Sequence, residues 1–566
     1  MLRIFSNFSF FKLALIMLFA SITLPANSLS LPFEAKSPSA SGSFLAGQQA
    51  FKDLRTKQAA RFFLDASESD WDNIAIVQNA FIALVADGRI EDAAAIAQHL
   101  IELNPNHEIA RLLLGTIAIK ERRYTSAINQ LNKVETGNYT AISAIILKAW
   151  ALVGEKNFPA SQPLIDELSK AGLDDFLIFH KTLMADVAGN RNLALQYAAR
   201  AYKNDKYVSK TVETYARILA NSSRFEEALA IIDAYKNEGL GHPIINDIEE
   251  DIIANIRPGK IASNVQMGAA EMYHSIGVAL ANEGRTRIAM SFFRLGLYLN
   301  PKAQSITMAL AKLLEKAYLY DEANAIYNSL DISSVLKNKA NVNIALNLNA
   351  SGAREEAIRK LSNIVATQPD NLDAVSVLGD FYRYEEQYKD AIKAYTKALK
   401  IVDGNRPQDW RFYYVRGIAY ERSDNWKKAE TDFLKALKLN PGQPQVLNYL
   451  GYTWVDKGMK LKPALKLIRQ AVEESHNDGY IVDSLGWAYY KLNRIKQAVE
   501  TLEQAVSLLP NDPEINDHLG DAYWKAGRKL EATFQWKIAI DVDEKGDVTL
   551  RSEEKLKDPI EYFKNQ

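Results

Sequence analysis

The chain has 566 residues, with 68 Lys+Arg against 69 Asp+Glu and a net charge of −1, so no electrostatic footprint for nucleic acid is present. Cysteine is absent, which excludes disulfide frameworks, thiolate catalysis, Cys-ligated zinc or iron–sulfur centres, and lipid attachment through an N-terminal Cys. A single core of this size would pass the limit of about 250–300 residues at which cores stop growing, whereas a repeat array escapes that limit because each unit contacts its neighbours.

Residues 1–28 read as a signal peptide. Arg3 and Lys12 lead into an apolar run, Leu13 to Leu24, that is too short to span a bilayer. Ala26-Asn27-Ser28 supplies small residues for cleavage before Leu29; the competing reading is an uncleaved anchor. Loss of this segment removes two cations and moves the net charge from −1 to −3. Residues 29–39 follow as a Ser- and Pro-rich disordered stretch.

From residue 40 a period emerges. Faint units start near 40, 74, 108, 142, 175 and 209, giving an N-terminal array over 40–242. Pro243 to Ala269 is out of phase and contains Arg257-Pro258-Gly259-Lys260, so 243–269 reads as a connector or a degenerate hairpin. Eight sharper units start near 270, 304, 338, 372, 410, 444, 479 and 513 and fill 270–546. In these, Ala recurs at 289, 323, 357, 391, 429, 464, 498 and 532, with gaps of 34, 34, 34, 38, 35, 34 and 34. Twelve or thirteen residues earlier stands Gly or Ala, and most units place a bulky residue four after the Ala. The paired small residues Gly379 and Ala391, Gly417 and Ala429, Gly451 and Ala464, Gly486 and Ala498, Gly520 and Ala532 are where two helices cross closely. Pro301, Pro369, Pro441 and Pro510 close their units. Residues 547–566 read as a polar capping helix. This spacing resembles the tetratricopeptide repeat and predicts an all-α superhelical solenoid of about 14 helical hairpins in two arrays.

No catalytic constellation accompanies the repeats. The seven histidines are scattered without metal spacing, and neither GxGxxG nor a Walker sequence occurs. Asp541–Asp547 opens like a calcium loop, but Lys545 and Ser552 stand where ligands are needed, so a solvated helix end is preferred. The acid pairs Glu226-Glu227 and Glu355-Glu356 fall at helix starts, where the dipole favours them. No enzyme activity, cofactor or metal is expected, and membrane association is expected to be indirect.

Binding surface is expected instead, on the inner groove formed by the first helix of each hairpin at positions 2, 5, 9 and 12–13. In the last four units these positions give Arg411, Tyr414, Asn448, Tyr452, Asp483, Trp487, Tyr490, Lys491, Asp517, Asp521 and Trp524. Trp454 and Trp536 fall at core positions, whereas Trp487 and Trp524, flanked by charges, have the make-up of protein-binding hot spots. The competing reading packs these rings against the next helix. The cations needed to clamp a chaperone's C-terminal carboxylate are missing from the series Asn448/Tyr452, Asp483/Ser484, Asp517/His518.

Four segments, Gly268–Leu280, Leu447–Gly458, Asp478–Leu492 and Asp512–Arg528, resemble a family of bacterial envelope tetratricopeptide proteins. It includes adaptor lipoproteins that recruit carboxyl-terminal processing proteases and present cell-wall hydrolases to them. The resemblance is best over about 268–540. It implies an exported periplasmic or envelope scaffold that wraps a protein partner. This chain departs from the family in lacking the lipidated Cys. A module that stacks a glycan or peptidoglycan strand on Trp487, Tyr490 and Trp524 is the alternative.

Overall fold

The computed structural model describes residues 39–134, 139–169, 173–544 and 546–564; the expected signal segment 1–28 and all but the last residue of 29–39 lie outside the described residues. Helix is the only regular structure among the described residues. The first six hairpins pair α1 (Ala40–Lys52) with α2 (Thr56–Ser67), α3 (Ile74–Asp87) with α4 (Ile90–Leu103), α5 (Glu108–Lys120) with α6 (Tyr124–Leu131), α7 (Tyr139–Gly154) with α8 (Phe158–Ser169), α9 (Asp174–Val187) with α10 (Arg191–Asn204), and α11 (Ser209–Asn221) with α12 (Phe225–Asn237). A single helix, α13 (Pro243–Ile253), follows. Eight further hairpins pair α14 (Val265–Asn282) with α15 (Thr286–Leu299), α16 (Gln304–Lys316) with α17 (Tyr320–Asn328), α18 (Lys337–Ala350) with α19 (Arg354–Thr367), α20 (Leu372–Tyr384) with α21 (Tyr388–Ile401), α22 (Trp410–Arg422) with α23 (Trp426–Leu439), α24 (Pro444–Asp456) with α25 (Leu461–Glu474), α26 (Gly479–Lys491) with α27 (Ile495–Leu508), and α28 (Pro513–Lys525) with α29 (Lys529–Val542). The chain ends in α30 (Thr549–Lys557) and α31 (Pro559–Lys564). The described residues form an all-α solenoid of fourteen hairpins, each with an inner helix A and an outer helix B.

The phase of the hairpins is written in the backbone. All fourteen A-to-B turns place at least one residue in the left-handed region, at 54, 88, 122, 156, 189, 223, 284, 318, 352, 386, 424, 458, 493 and 527, with Lys460 a second in its turn. Six of the fourteen are glycine; the other eight accept a strained φ, such as Arg122 at 60° and Asn493 at 59°, to end helix A abruptly. Asn255, with φ 57°, ends α13 in the same way. Residues 243–255 are therefore a helix A without its B partner, and α14 begins at Val265 rather than at 270. The 38-residue gap between Ala391 and Ala429 is taken up by a short 3-10 turn, Pro407–Asp409, ahead of α22.

Inside each hairpin the small residues lie where the two helices cross. Ala391, Ala429, Ala464, Ala498 and Ala532 are fully buried at the helix crossings. The paired glycine receives the bulky side chain four residues after the Ala. A Cβ on Gly379, Gly417, Gly451, Gly486 or Gly520 would sit 2.4–2.7 Å from Tyr395, Phe433, Ile468, Leu502 or Trp536 respectively. The helices close because nothing fills that space except the neighbour's side chain.

The two arrays are interlocked. Helix α14 runs back along the inner face of the first array and packs against α5, α7 and α9, while α15 packs against α3 and α5. Trp150 of α7, fully buried, lies over Gly268, where an added Cβ would come within 2.1 Å of the indole. Thr116 shares a buried hydrogen bond with the Tyr273 hydroxyl, Gln266 donates to the Ile119 carbonyl at 2.8 Å, and Lys120 donates to the Leu299 carbonyl at 3.1 Å. One hydrophobic cluster accordingly runs from Phe63 and Phe81 through Trp150 to Tyr273, Phe293 and Leu310.

Candidate protein-binding groove

A superhelix of A helices makes a concave face, and its use differs along the chain. In the first array that face is occupied by the protein itself. Beyond α14 and α15, the extended stretch between α13 and α14 lies across α9 and α11. Arg217 donates to the Gly259 carbonyl at 2.6 Å, Asn221 to the Pro258 carbonyl at 3.0 Å, and Lys260 pairs with Asp186 at 2.9 Å. Asp186, Arg217 and Asn221 are positions 12, 9 and 13 of their hairpins. The groove positions thus hold a peptide backbone in this molecule.

At the other end of the chain several of the expected groove residues are not available, which corrects the reading of the last repeats. The side chains at positions 5 and 9 lie between consecutive A helices. Trp487 is 9% exposed and stacks on Tyr490 at 4.8 Å and on His518 of the next helix A at 4.0 Å. Asp483 is buried against His518 at 3.0 Å, and Glu514 lies 3.3 Å from the same ring. Burial alone would lower the His518 pKa, but the Asp483 and Glu514 carboxylates outweigh it and push it up to about 10. The ring is therefore a buried cation at neutral pH.

Asp517 and Asp521 are buried as well, because α30 continues the stack as the next helix A. Lys555, 2% exposed, pairs with Asp517 at 2.8 Å and Asp521 at 2.7 Å; Ser552 and Arg551 also donate to Asp517. Ser552 and Lys555 lie 34 residues after His518 and Asp521, in repeat register. Trp524 is half-buried against Trp536 at 5.8 Å and Phe563 at 6.3 Å. Trp487, Tyr490 and Trp524 therefore do not form an open stacking platform, and the glycan reading loses its main support. Lys491 stays exposed, its ammonium 4.9 Å above the Trp487 ring. The calcium-like loop is structural: burial would raise the Asp543 pKa, but the amides of Gly546, Val548 and Thr549 hold it down to about 2 as the carboxylate caps α30.

Between these two closed ends the concave face is open. A cavity of about 320 Å³ lies over α18, α20 and α22, lined by Lys339, Val342, Asn343, Leu346, Asp373, Ser376, Val377, Asp380, Arg411, Phe412 and Val415. Lys339, Leu346, Asp373 and Arg411 are exposed. Apolar patches at Val342, Leu346, Val377 and Val415 alternate with charges of both signs, the composition of a peptide-holding groove. The Tyr395 hydroxyl donates to Asp380 at 2.7 Å, fixing that carboxylate at position 9, while burial pushes its pKa up. Of the residues expected from sequence, Arg411 lines this cavity. Tyr414 and Tyr452 are half-buried and do not line it. Desolvation raises the Tyr414 pKa to about 12, and Tyr414 packs edge-on against Tyr449 at 6.0 Å. Asn448 is half-buried, and its Oδ1 has no hydrogen-bond partner. Lys339, Asn343, Leu346, Asp373 and Asp380 were not singled out from sequence, although they occupy positions 2, 6, 9, 2 and 9 of the units starting at 338 and 372.

Comparisons with known proteins agree with this geometry. Tetratricopeptide-repeat family models match residues 79–140 and 377–444, 270–302, and 486–527. Human tetratricopeptide repeat protein 13 is 26% identical over 187 residues, 32% of this chain and 21% of that protein. The TPR repeat-containing protein PA4667 of Pseudomonas aeruginosa is 28% identical over 146 residues, 26% of this chain and 24% of that protein. The chain thus spans about a fifth to a quarter of the length of these relatives. Among solved structures, the APC/C Cut9–Hcn1 hetero-tetramer aligns over 92% of this chain and 96% of its own, at 16% identity and a TM-score of 0.40. Residues 79–140, 270–302, 377–444 and 486–527 match tetratricopeptide repeats, and repeats of this kind support a protein–protein interaction scaffold.

Proposed function

We propose that the chain is an exported scaffold that holds an extended or helical segment of another envelope protein in the open inner groove over α18, α20 and α22. In this reading it brings a carboxyl-terminal processing protease together with cell-wall hydrolases on which the protease acts. The observation that carries the groove assignment is the first array's own use of its inner face, where Arg217 and Asn221 hold the Gly259 and Pro258 carbonyls and Asp186 holds the Lys260 ammonium. The second array offers Leu346, Asp380 and Arg411 along a cavity on its inner face. Support for an envelope location is the Leu13–Leu24 run followed by Ala26-Asn27-Ser28. Scaffolds of this kind hold partners rather than transform them, and the reading gives the chain no catalytic step.

The test is co-purification from envelope extracts with a tagged chain beginning at Leu29, beside an Asp373→Lys/Arg411→Glu variant. A processing protease or wall hydrolase enriched with the parent and lost with the variant supports the reading. Equal enrichment with both places the partner elsewhere on the molecule. Absence of both enzymes from the parent's captured set contradicts the adaptor role.

A further inference from the structure

The two C-terminal helices are held very differently. Helix α30 is anchored by Lys555, Ser552 and Arg551 on buried acids of α28. Helix α31 is six residues long, contains no buried residue, and is set off from α30 by the non-helical Asp558 ahead of Pro559. It rests on the inner face through two aromatic rings. Phe563 stacks over Trp524 at 6.3 Å and Trp536 at 6.1 Å, and Tyr562 sits close enough to Tyr490 to help raise that hydroxyl's pKa. The floor beneath is aromatic and its rim is cationic. Lys525 lies 4.6 Å above Tyr490 and Lys529 5.1 Å above Trp524, and both lysines are exposed. The covering segment, Asp558-Pro559-Ile560-Glu561-Tyr562-Phe563, carries two acids ahead of two aromatic residues, and its Asp558 carboxylate accepts from the Glu561 amide at 3.0 Å. A small, half-buried cover of matching chemistry on a wide aromatic floor has the properties of a resident ligand.

We propose that α31 is a lid over a second docking site, and that this site takes acidic–aromatic segments of partner proteins in competition with the chain's own Asp558–Phe563. The site lies at the end of the solenoid and is independent of the central groove. A partner segment would place a Phe or Tyr on Trp524 and an acid among Lys525 and Lys529. Docking would release α31 while leaving α30, the structural cap, in place.

The test uses a fluorescein-labelled peptide with the sequence of residues 558–566 and fluorescence anisotropy. The chain from Leu29 to Gln566, the full-length Phe563→Ala variant, and a chain ending at Lys557 are compared, with circular dichroism as the folding control. The inference predicts that both altered chains bind the peptide at least about tenfold more tightly than the parent. It also predicts that a peptide with Phe563→Ala fails to bind, and that Lys525→Glu/Lys529→Glu weakens binding to the truncated chain. Equal binding by parent and Phe563→Ala chains, or none by either when both are folded, overturns it. A dimer of the parent that disappears on truncation would assign the surface to a second copy, and would equally overturn the partner reading.

Discussion

Position 9 of helix A is Thr116 and Trp150 in the first array and Leu346 and Asp380 in the second. Thr116 and Trp150 are fully buried under α14 and its neighbours, whereas Leu346 is 40% exposed and Asp380 is half-buried at an open cavity. The hairpin, the turn conformation and the small-residue crossing are the same in both. What differs is whether the concave face has been closed by chain from elsewhere in the molecule. A repeat therefore fixes the existence of a groove, and the long-range path of the chain decides whether that groove is structural or available.

The largest disruption is expected in the second array. Ala498→Glu would bury a carboxylate at the α26–α27 crossing at a cost of about 5 kcal/mol. Circular dichroism should show the C-terminal hairpins melting well before the rest, because neighbours in a solenoid support one another locally. Gly268→Leu attacks the closed array. Its side chain has no room against Trp150, and about 3–5 kcal/mol should be lost on denaturant unfolding. Limited proteolysis should then cut between α13 and α14, where the parent resists; an equally resistant variant would mean that the two arrays do not lock there.

The buried cation at His518 gives a smaller and pH-dependent effect. Its folded pKa, about 10, lies above the ordinary histidine value of 6.5, so its contribution is complete below about pH 6.5 and is lost as pH rises through 10. His518→Ala should destabilise the last hairpins by about 3 kcal/mol at neutral pH by leaving Asp483 buried and unpaired. The gap between parent and variant melting temperatures should narrow toward pH 10.5; a constant gap would contradict a protonated His518. The smallest effect belongs to the open groove. Asp373→Ala and Arg411→Ala should each change stability by no more than about 0.5 kcal/mol, since both side chains are exposed, yet lower partner capture.

The hairpins were legible in the sequence because the Gly–Ala–bulky spacing reports packing within one unit, as Gly520, Ala532 and Trp536 show. The assignment of open surface was less legible. Trp487 and Asp517 stand at groove positions, and only the neighbouring helices show that His518 and Lys555 cover them. Gly268 was visible as a glycine, but the ring it receives is Trp150, 118 positions away, a contact no local period encodes. The 243–269 stretch looked out of phase because its helix A has lost its B partner and the following strand of chain lies in the groove instead.

The chain has no cysteine, so single thiols can report on the two concave faces directly. The decisive measurement is the maleimide labelling rate of Thr116→Cys and Leu346→Cys, the same repeat position in the two arrays. The account predicts that Leu346→Cys reacts like an exposed thiol and that Thr116→Cys reacts at least about a hundredfold more slowly, through opening of the α14 contact. Comparable rates would show that the first groove is not closed by the chain itself, and would contradict the division on which the functional reading stands.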